Sequence, residues 1–279
     1  MGNQALQKKR LFSTLYYVIL LISTVIILIP IIFIIISSFK TETQIFSSPW
    51  SLPASLDFST YYEIFVHYNM VNYFSNSIFY SIVSCFICLV LTFPASYAIC
   101  RMRWRASKYV MAFLVSGLMI PVHAIIVPLY ITVSKAQLPH NFALIFIYAA
   151  ATIPTALFLF VGNLKSIPVS IEEAAVIDGC SIPRLLMSII YPLSRSVMAS
   201  VIVFTFLSVW NDLLIALIFL SNERDKTIPV GIMRFIDSYF TNYGFLLSAL
   251  VVTIIPTIIL FAFLSKYIVK GLTAGAVKE

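Results

Sequence analysis

Six long, nearly uncharged apolar stretches constrain this chain more than any other feature of it. They run over about Leu11–Ser38, Phe74–Cys100, Ala106–Val133, Pro139–Gly162, Ser196–Leu220 and Gly244–Lys270. Each has the ~20 residues that an α-helix needs to cross ~30 Å of hydrocarbon. Strands of a membrane β-barrel are ~10 residues long and alternate polar with apolar positions; no such alternation is present. Charged residues are 10% of the 279, against roughly 25% in a soluble domain, which excludes an ordinary soluble fold. The predicted fold class is therefore all-α integral membrane, with six transmembrane helices in one domain spanning 1–279. The first span is too long for a signal-peptide core and no A-x-A site follows it, so it reads as a retained helix.

Lysine and arginine orient these spans. Of the 18 such residues, Lys40, Lys135, Arg224, Lys226 and Arg234 fall in segments on one side, and the other thirteen fall on the opposite side with both termini. The richer side is cytoplasmic, so both ends are cytoplasmic. The net charge of +7 then reflects topology and calls for no nucleic-acid partner. The longest outer segment, Lys40–Tyr73, is rich in Ser, Pro and aromatics, and is expected along the membrane surface or against span ends.

Polar and helix-breaking residues inside the spans narrow the possibilities. Pro94, Pro121, Pro128, Pro154 and Pro256 each remove a backbone hydrogen bond that lipid cannot replace, and are expected to kink helices for packing or around a pathway. His123, between Pro121 and Pro128, reads as hydrogen-bonded packing ahead of a proton relay. Asp212, in Trp210-Asn211-Asp212, is the acidic residue set well inside a span. At about 2.5–3.5 kcal/mol for an aspartate at mid-membrane, it must face protein, water or a subunit interface. Cys85 and Cys88 inside the second span read as small buried thiols rather than a metal or redox pair.

One cytoplasmic island stands apart from these spans, Glu172–Leu193, EEAAVIDGCSIPRLLMSIIYPL. Ser170 three positions before Glu173 has capping-box spacing, which predicts a helix starting just before Glu172. Both glutamates then lie in its first turn, exposed to the cytoplasm. Ala174 and Ala175 leave room for another protein, and Gly179 offers a backbone conformation closed to other residues. The island reads as a docking element. No H-E-x-x-H, no metal-ligand spacing among His67, His123 and His140, and no Gly-rich phosphate cradle are present. Catalytic and metal residues are therefore assigned as none, and any energy for transport must come from a partner.

These residues resemble a known family. Glu173-Ala174-Ala175, three residues, Gly179, nine residues, Ile189, one residue and Tyr191-Pro192 match the signature loop of permease subunits of ATP-binding-cassette importers. Tyr191 stands where the family usually has Leu. Asn76–Arg101, Trp210-Asn211-Asp212 and the tail Gly271–Glu279 are similar to carbohydrate importers of the maltose type. The resemblance implies a type I ABC importer permease fold in the bacterial inner membrane, with a cytoplasmic coupling loop at about 163–195. It implies a transport subunit rather than an enzyme, importing a sugar, with an oligosaccharide favoured over a polyol or glycerophosphodiester and over a secondary carrier or membrane enzyme. Implied partners are a second homologous permease, two cytoplasmic ATPases that bind the ATP and Mg, and an extracytoplasmic solute-binding protein. By the same resemblance Glu172, Glu173, Ala174, Ala175, Asp178 and Gly179 couple to the ATPase. Trp210, Asn211 and Asp212 are expected on the translocation pathway or a subunit interface, and the tail is expected to reach toward the ATPases.

Overall fold

A computed structural model describes residues 2–102, 104–236 and 241–276, with side chains described between Phe12 and Tyr267. Arg103, residues 277–279 and the side chains of the tail from Gly271 lie outside the described residues. The described residues form helices, with one isolated β-bridge, Ile236–Thr241. Four helices are long and apolar enough to span a membrane: Phe12–Ser37, Met70–Arg101, His140–Ser166 and Tyr243–Tyr267. Two bent pairs, Ser107–Met119 with Val122–Lys135 and Ile182–Leu193 with Arg195–Trp210, bring the number to as many as six if each is one span.

The chain divides into two compact units. The first comprises residues 1–70 and 232–254. It holds α1 (Gly2–Ser37), the outer-segment helices α2 (Glu42–Ser47) and α3 (Ser59–Val66), and the start of α14 (Tyr243–Ala276). No residue in the most apolar stretch of α1 is buried by the rest of the protein, and a helix apolar all round is suited to a membrane span. Below it, Ser38 bonds Tyr61 at 2.7 Å and its carbonyl accepts from Ser248 at 3.2 Å. In the outer segment Thr41 and Gln44 close a capping box on α2, and Ile45 and Ile64 are buried while most of its side chains are exposed. Lys40, counted by sequence as an outer charge, is 3% exposed and donates to the carbonyls of Ser48 and Pro49.

The second unit comprises 71–231 and 255–279. Its elements include α4 (Met70–Arg101), α5 (Ser107–Ser116), α6 (Ile126–Lys135), α7 (His140–Ser166), α8 (Val169–Ile177), α9 (Ile182–Leu185), α10 (Tyr191–Leu193), α11 (Arg195–Trp210), α12 (Leu214–Phe219) and α13 (Ile228–Ile232). The central helix is α7, which touches α5, α6, α11 and α12. On α4 the residues Ser77, Ser81, Ser84, Cys88, Thr92 and Ser96 are all buried, three or four apart and hence on one face. Such a stripe lets backbones approach closely: Ser84 donates across to the Ile145 carbonyl of α7 at 3.1 Å. The thiols of Cys85 and Cys88 are free and buried, within the packing.

Two expected spans are interrupted. The third, Ala106–Val133, bends by 84° between Met119 and Val122. Ile120, immediately before Pro121, is extended (φ −97°, ψ 109°), because the proline ring bars its neighbour from helical geometry. Pro128 falls in the first turn of α6, where a missing N–H costs little, so it does not kink a span. The fifth, Ser196–Leu220, ends as a helix at Trp210 and restarts at Leu214. Pro94, Pro154 and Pro256 lie within unbroken helices.

Outside the apolar stretches, α13 packs so tightly on α4 that a Cβ at Gly231 would sit 2.2 Å from the Tyr73 ring. Tyr73 is 1% exposed and its ring has to shift for any side chain there. Gly231→Ala is expected to cost about 1–3 kcal/mol by overpacking, lowering the melting temperature of the detergent-solubilised protein by several degrees. An unchanged melting curve would show that the ring relocates freely.

Candidate functional site

The island after α7 folds into a short helix held at both ends. At its start Ile167 turns extended (φ −82°, ψ 124°) ahead of Pro168, which is the N-cap residue of α8. The helix thus begins at Val169, earlier than expected, and the predicted Ser170–Glu173 capping box does not form: α8 has no side-chain cap bond. Ser170 is already helical, so its hydroxyl is not placed as an N-cap acceptor. At the other end Gly179 is left-handed, with φ +77°. Its N–H bonds the Val176 carbonyl at 3.0 Å and the Cys180 N–H bonds the Ala175 carbonyl at 2.9 Å, the two bonds of a Schellman cap. Cys180 and Ala175 share the apolar cluster beneath. Further on, Pro192 has no N–H, and just before it the ladder slips to a π turn at Leu186–Ile190. Tyr191 contacts Phe93 edge-on at 6.3 Å, so the aromatic fills an apolar contact there.

The two glutamates point opposite ways. Glu173 is exposed, as are Ala174, Asp178 and Gly179. Glu172 is not exposed to the cytoplasm as expected: it is 6% exposed, on the same buried face as Ala175. Its Oε1 meets Arg101 Nε at 2.8 Å, a charge contact without hydrogen-bond alignment, and its Oε2 accepts from Tyr97 Oη at 3.1 Å. Arg101 Nη2 donates to the carbonyls of Leu164 and Ile167, each at 2.7 Å, where the C-terminal end of α7 carries partial negative charge. The adjacency of residues 172 and 173 explains the division, since consecutive helical positions lie ~100° apart. Removing one member of such a buried pair costs about 3–5 kcal/mol, because the other charge is left unpaired. In the sequence Arg101 contributes to the charge bias and closes the Asn76–Arg101 stretch, but no local pattern links it to a carboxylate 71 positions away.

A second polar cluster occupies the break between α11 and α12. Asp212 Oδ2 accepts from Tyr148 Oη at 2.8 Å and from the Ala216 amide at 3.0 Å, one of the orphan donors in the first turn of α12. Its Oδ1 lies 3.9 Å from His123 Nε2, too far for a hydrogen bond. Together His123, Tyr148, Thr152, Phe204, Ser208 and Asp212 line a cavity of about 200 Å³. Asn211 is exposed, its amide donating to the Leu207 carbonyl at 2.9 Å. Trp210 is 1% exposed, stacked on Phe206 at 5.6 Å and edge-on to Phe74 at 5.8 Å. Of the trio, Trp210 thus belongs to this chain's interior, while Asn211 and Asp212 remain at a surface and a cavity.

Comparison with known proteins accords with this arrangement. Residues 92–274 match the family model described as binding-protein-dependent transport system inner membrane component. The chain is 32% identical over 250 residues to the probable ABC transporter permease protein YurM of Bacillus subtilis (strain 168), covering 89% of this chain and 83% of that one. It is 30% identical over 251 residues to the melibiose/raffinose/stachyose import permease protein MelC of the same organism, covering 89% and 91%. A solved structure of a bacterial ABC transporter involved in the import of the acidic polysaccharide alginate superposes with a TM-score of 0.80 at 23% identity, over 92% of this chain and 96% of that one; this establishes the type I permease fold. The chain therefore belongs to the inner-membrane components of binding-protein-dependent transport systems: it is a multi-pass ABC importer permease, a transport subunit rather than an enzyme, that works with a partner ATPase and a solute-binding protein.

Proposed function

We propose that this chain forms one half of the translocation pathway of an ATP-driven sugar importer, and that α8 is the helix that seats in the ATPase. A second, homologous permease supplies the other half, and two ATPase subunits beneath bind the ATP and Mg²⁺. The sugar assignment is supported by relatives such as MelC and the probable starch degradation products transport system permease protein AmyC of Thermoanaerobacterium thermosulfurigenes, 29% identical over 250 residues. The observation that carries the coupling role is the outward face of α8. Val176 is 61% and Ile177 86% exposed, beside Glu173 and Asp178, on a helix held from behind by Arg101 and Tyr97. Apolar side chains rimmed by charge mark a protein contact, and Pro168 before the helix with the Schellman cap after it bounds the element that bears the load.

Ile177→Asp is expected to lower the ATPase recovered with the affinity-purified permease at least about tenfold, in the range of a lost interface anchor. Glu173→Gln removes only a charge. It is expected to retain the ATPase but reduce nucleotide-driven transport by a smaller factor. Full ATPase recovery with Ile177→Asp would assign the seat to another element.

The Asp212 cavity supports a pathway contact for sugar hydroxyls in this subunit: Oδ1 makes no hydrogen bond among the described residues, and His123, Ser208 and aromatic rings line the cavity with it. At about 200 Å³ it is smaller than a typical complete ligand site, and the second permease would complete it. In cells carrying the whole importer, Asp212→Leu is expected to reduce uptake of labelled raffinose or maltotriose at least about tenfold, the loss of roughly 1.4 kcal/mol or more, with membrane insertion intact. Normal uptake by the well-inserted variant would leave Asp212 as the cap of α12 only. Failure of the parent to take up either saccharide would count against the sugar assignment.

A further inference from the structure

The coupling helix is held by one arginine that belongs to a different membrane-spanning helix, and that helix is fastened again at its far end. Arg101 is the last residue of α4. Through its guanidinium it joins three elements: α4 itself, the Leu164 and Ile167 carbonyls at the end of α7, and Glu172 of α8. Tyr97, one turn earlier on α4, holds the second oxygen of the same carboxylate. At the other end of α4 a second set of polar contacts grips the outer loop between α12 and α13. Tyr73 Oη donates to Glu223. Asn76 Nδ2 donates to the Arg224 carbonyl at 2.7 Å and the Lys226 carbonyl at 2.9 Å, and Ser77 Oγ accepts from the Ile228 amide at 2.8 Å. Between these ends α4 is one uninterrupted helix of 32 residues, about 48 Å at 1.5 Å per residue. Pro94 interrupts its ladder without ending it. By contrast, the expected third span, formed by α5 and α6, is bent by 84°.

We propose that Arg101 is the positioning residue that locks the coupling helix to α4, and that α4 thereby carries displacement of α8 across the membrane to the outer loop 223–228. The proposal rests on the reading of α8 as the ATPase seat. The fork geometry of Arg101 suits the task. Its guanidinium donates to two carbonyls while its Nε side stands in charge contact with a carboxylate, whereas an ammonium presents a single point of charge. The outer contacts are made to backbone carbonyls and an amide, so a shift of α4 moves that loop's main chain rather than only its side chains. Coupling of this kind requires an element that both sites bias, and a helix fastened to one partner at each end is such an element.

The test uses the intact complex, with its second permease and ATPases, and hydrogen-exchange mass spectrometry with and without Mg²⁺ and the nonhydrolysable nucleotide AMP-PNP. In the parent, nucleotide is expected to change exchange both in 169–180 and in 223–230. In Arg101→Met the inner change is expected to persist while the outer change falls at least about fivefold, the low end of ordinary allosteric coupling. Arg101→Lys, which keeps charge but loses the fork, is expected to restore only part of it. Glu172→Gln alters no shape. If Arg101→Met does not assemble, the assembled Glu172→Gln complex carries the test, with the same loss expected at the outer loop. An outer response of parental size in the assembled variants, or no outer response in the parent, overturns the proposal. Absence of any nucleotide response in 169–180 instead overturns the seat assignment on which it rests.

Discussion

A bilayer offers apolar side chains nothing for leaving lipid to meet one another, and it offers unpaired backbone groups no water. Packing in the second unit therefore depends on close approach and on internal hydrogen bonds rather than on burying greasy surface. The small buried face of α4 is the clearest expression of this. With Ser, Thr and Cys at successive turns, α4 lies near enough to α7 for Ser84 to reach the Ile145 carbonyl. Gly117 does the same for α5, where an added Cβ would stand 3.0 Å from Pro154. Large residues then fill the layers outside these contacts, as Phe93 and Phe160 do at 5.6 Å.

The same constraint governs the interruptions. Where α11 stops, the amides and carbonyls of the break need partners inside the protein, and Asp212 answers the Ala216 amide while Tyr148 answers Asp212. A carboxylate that would be costly in lipid is here the device that makes a broken helix tolerable. Its second oxygen remains directed at a cavity, so one side chain both closes the break and faces open space.

How much of this was legible in the chain follows from the physics of each feature. Span number, the all-helical class and the signature island depend on local composition and spacing, and these were readable. The breaks at Pro121 and Asn211–Leu213 were partly readable: proline marks the first, but apolar residues on both sides hide the second. The face that Glu172 presents was not readable, because two adjacent glutamates look alike until the helix has a start point. Here Ile167 and Pro168 set that start a few residues earlier than a Ser170 cap would. The partner Arg101 is remote in sequence, and the serine stripe of α4 signals packing only once its period is followed along the whole helix.

The opposed glutamates have a geometric consequence. A helix of nine residues, bounded by Pro168 and by left-handed Gly179, can neither lengthen nor fray without losing a cap. With Glu172 pinned inward, it cannot roll about its axis either, because a roll of one position would bury Glu173 and strand Arg101. The angle at which Val176 and Ile177 project is thereby set by a charge pair on the far side of the same helix. The short helix is thus keyed, like a shaft, to a single rotational setting against the protein behind it.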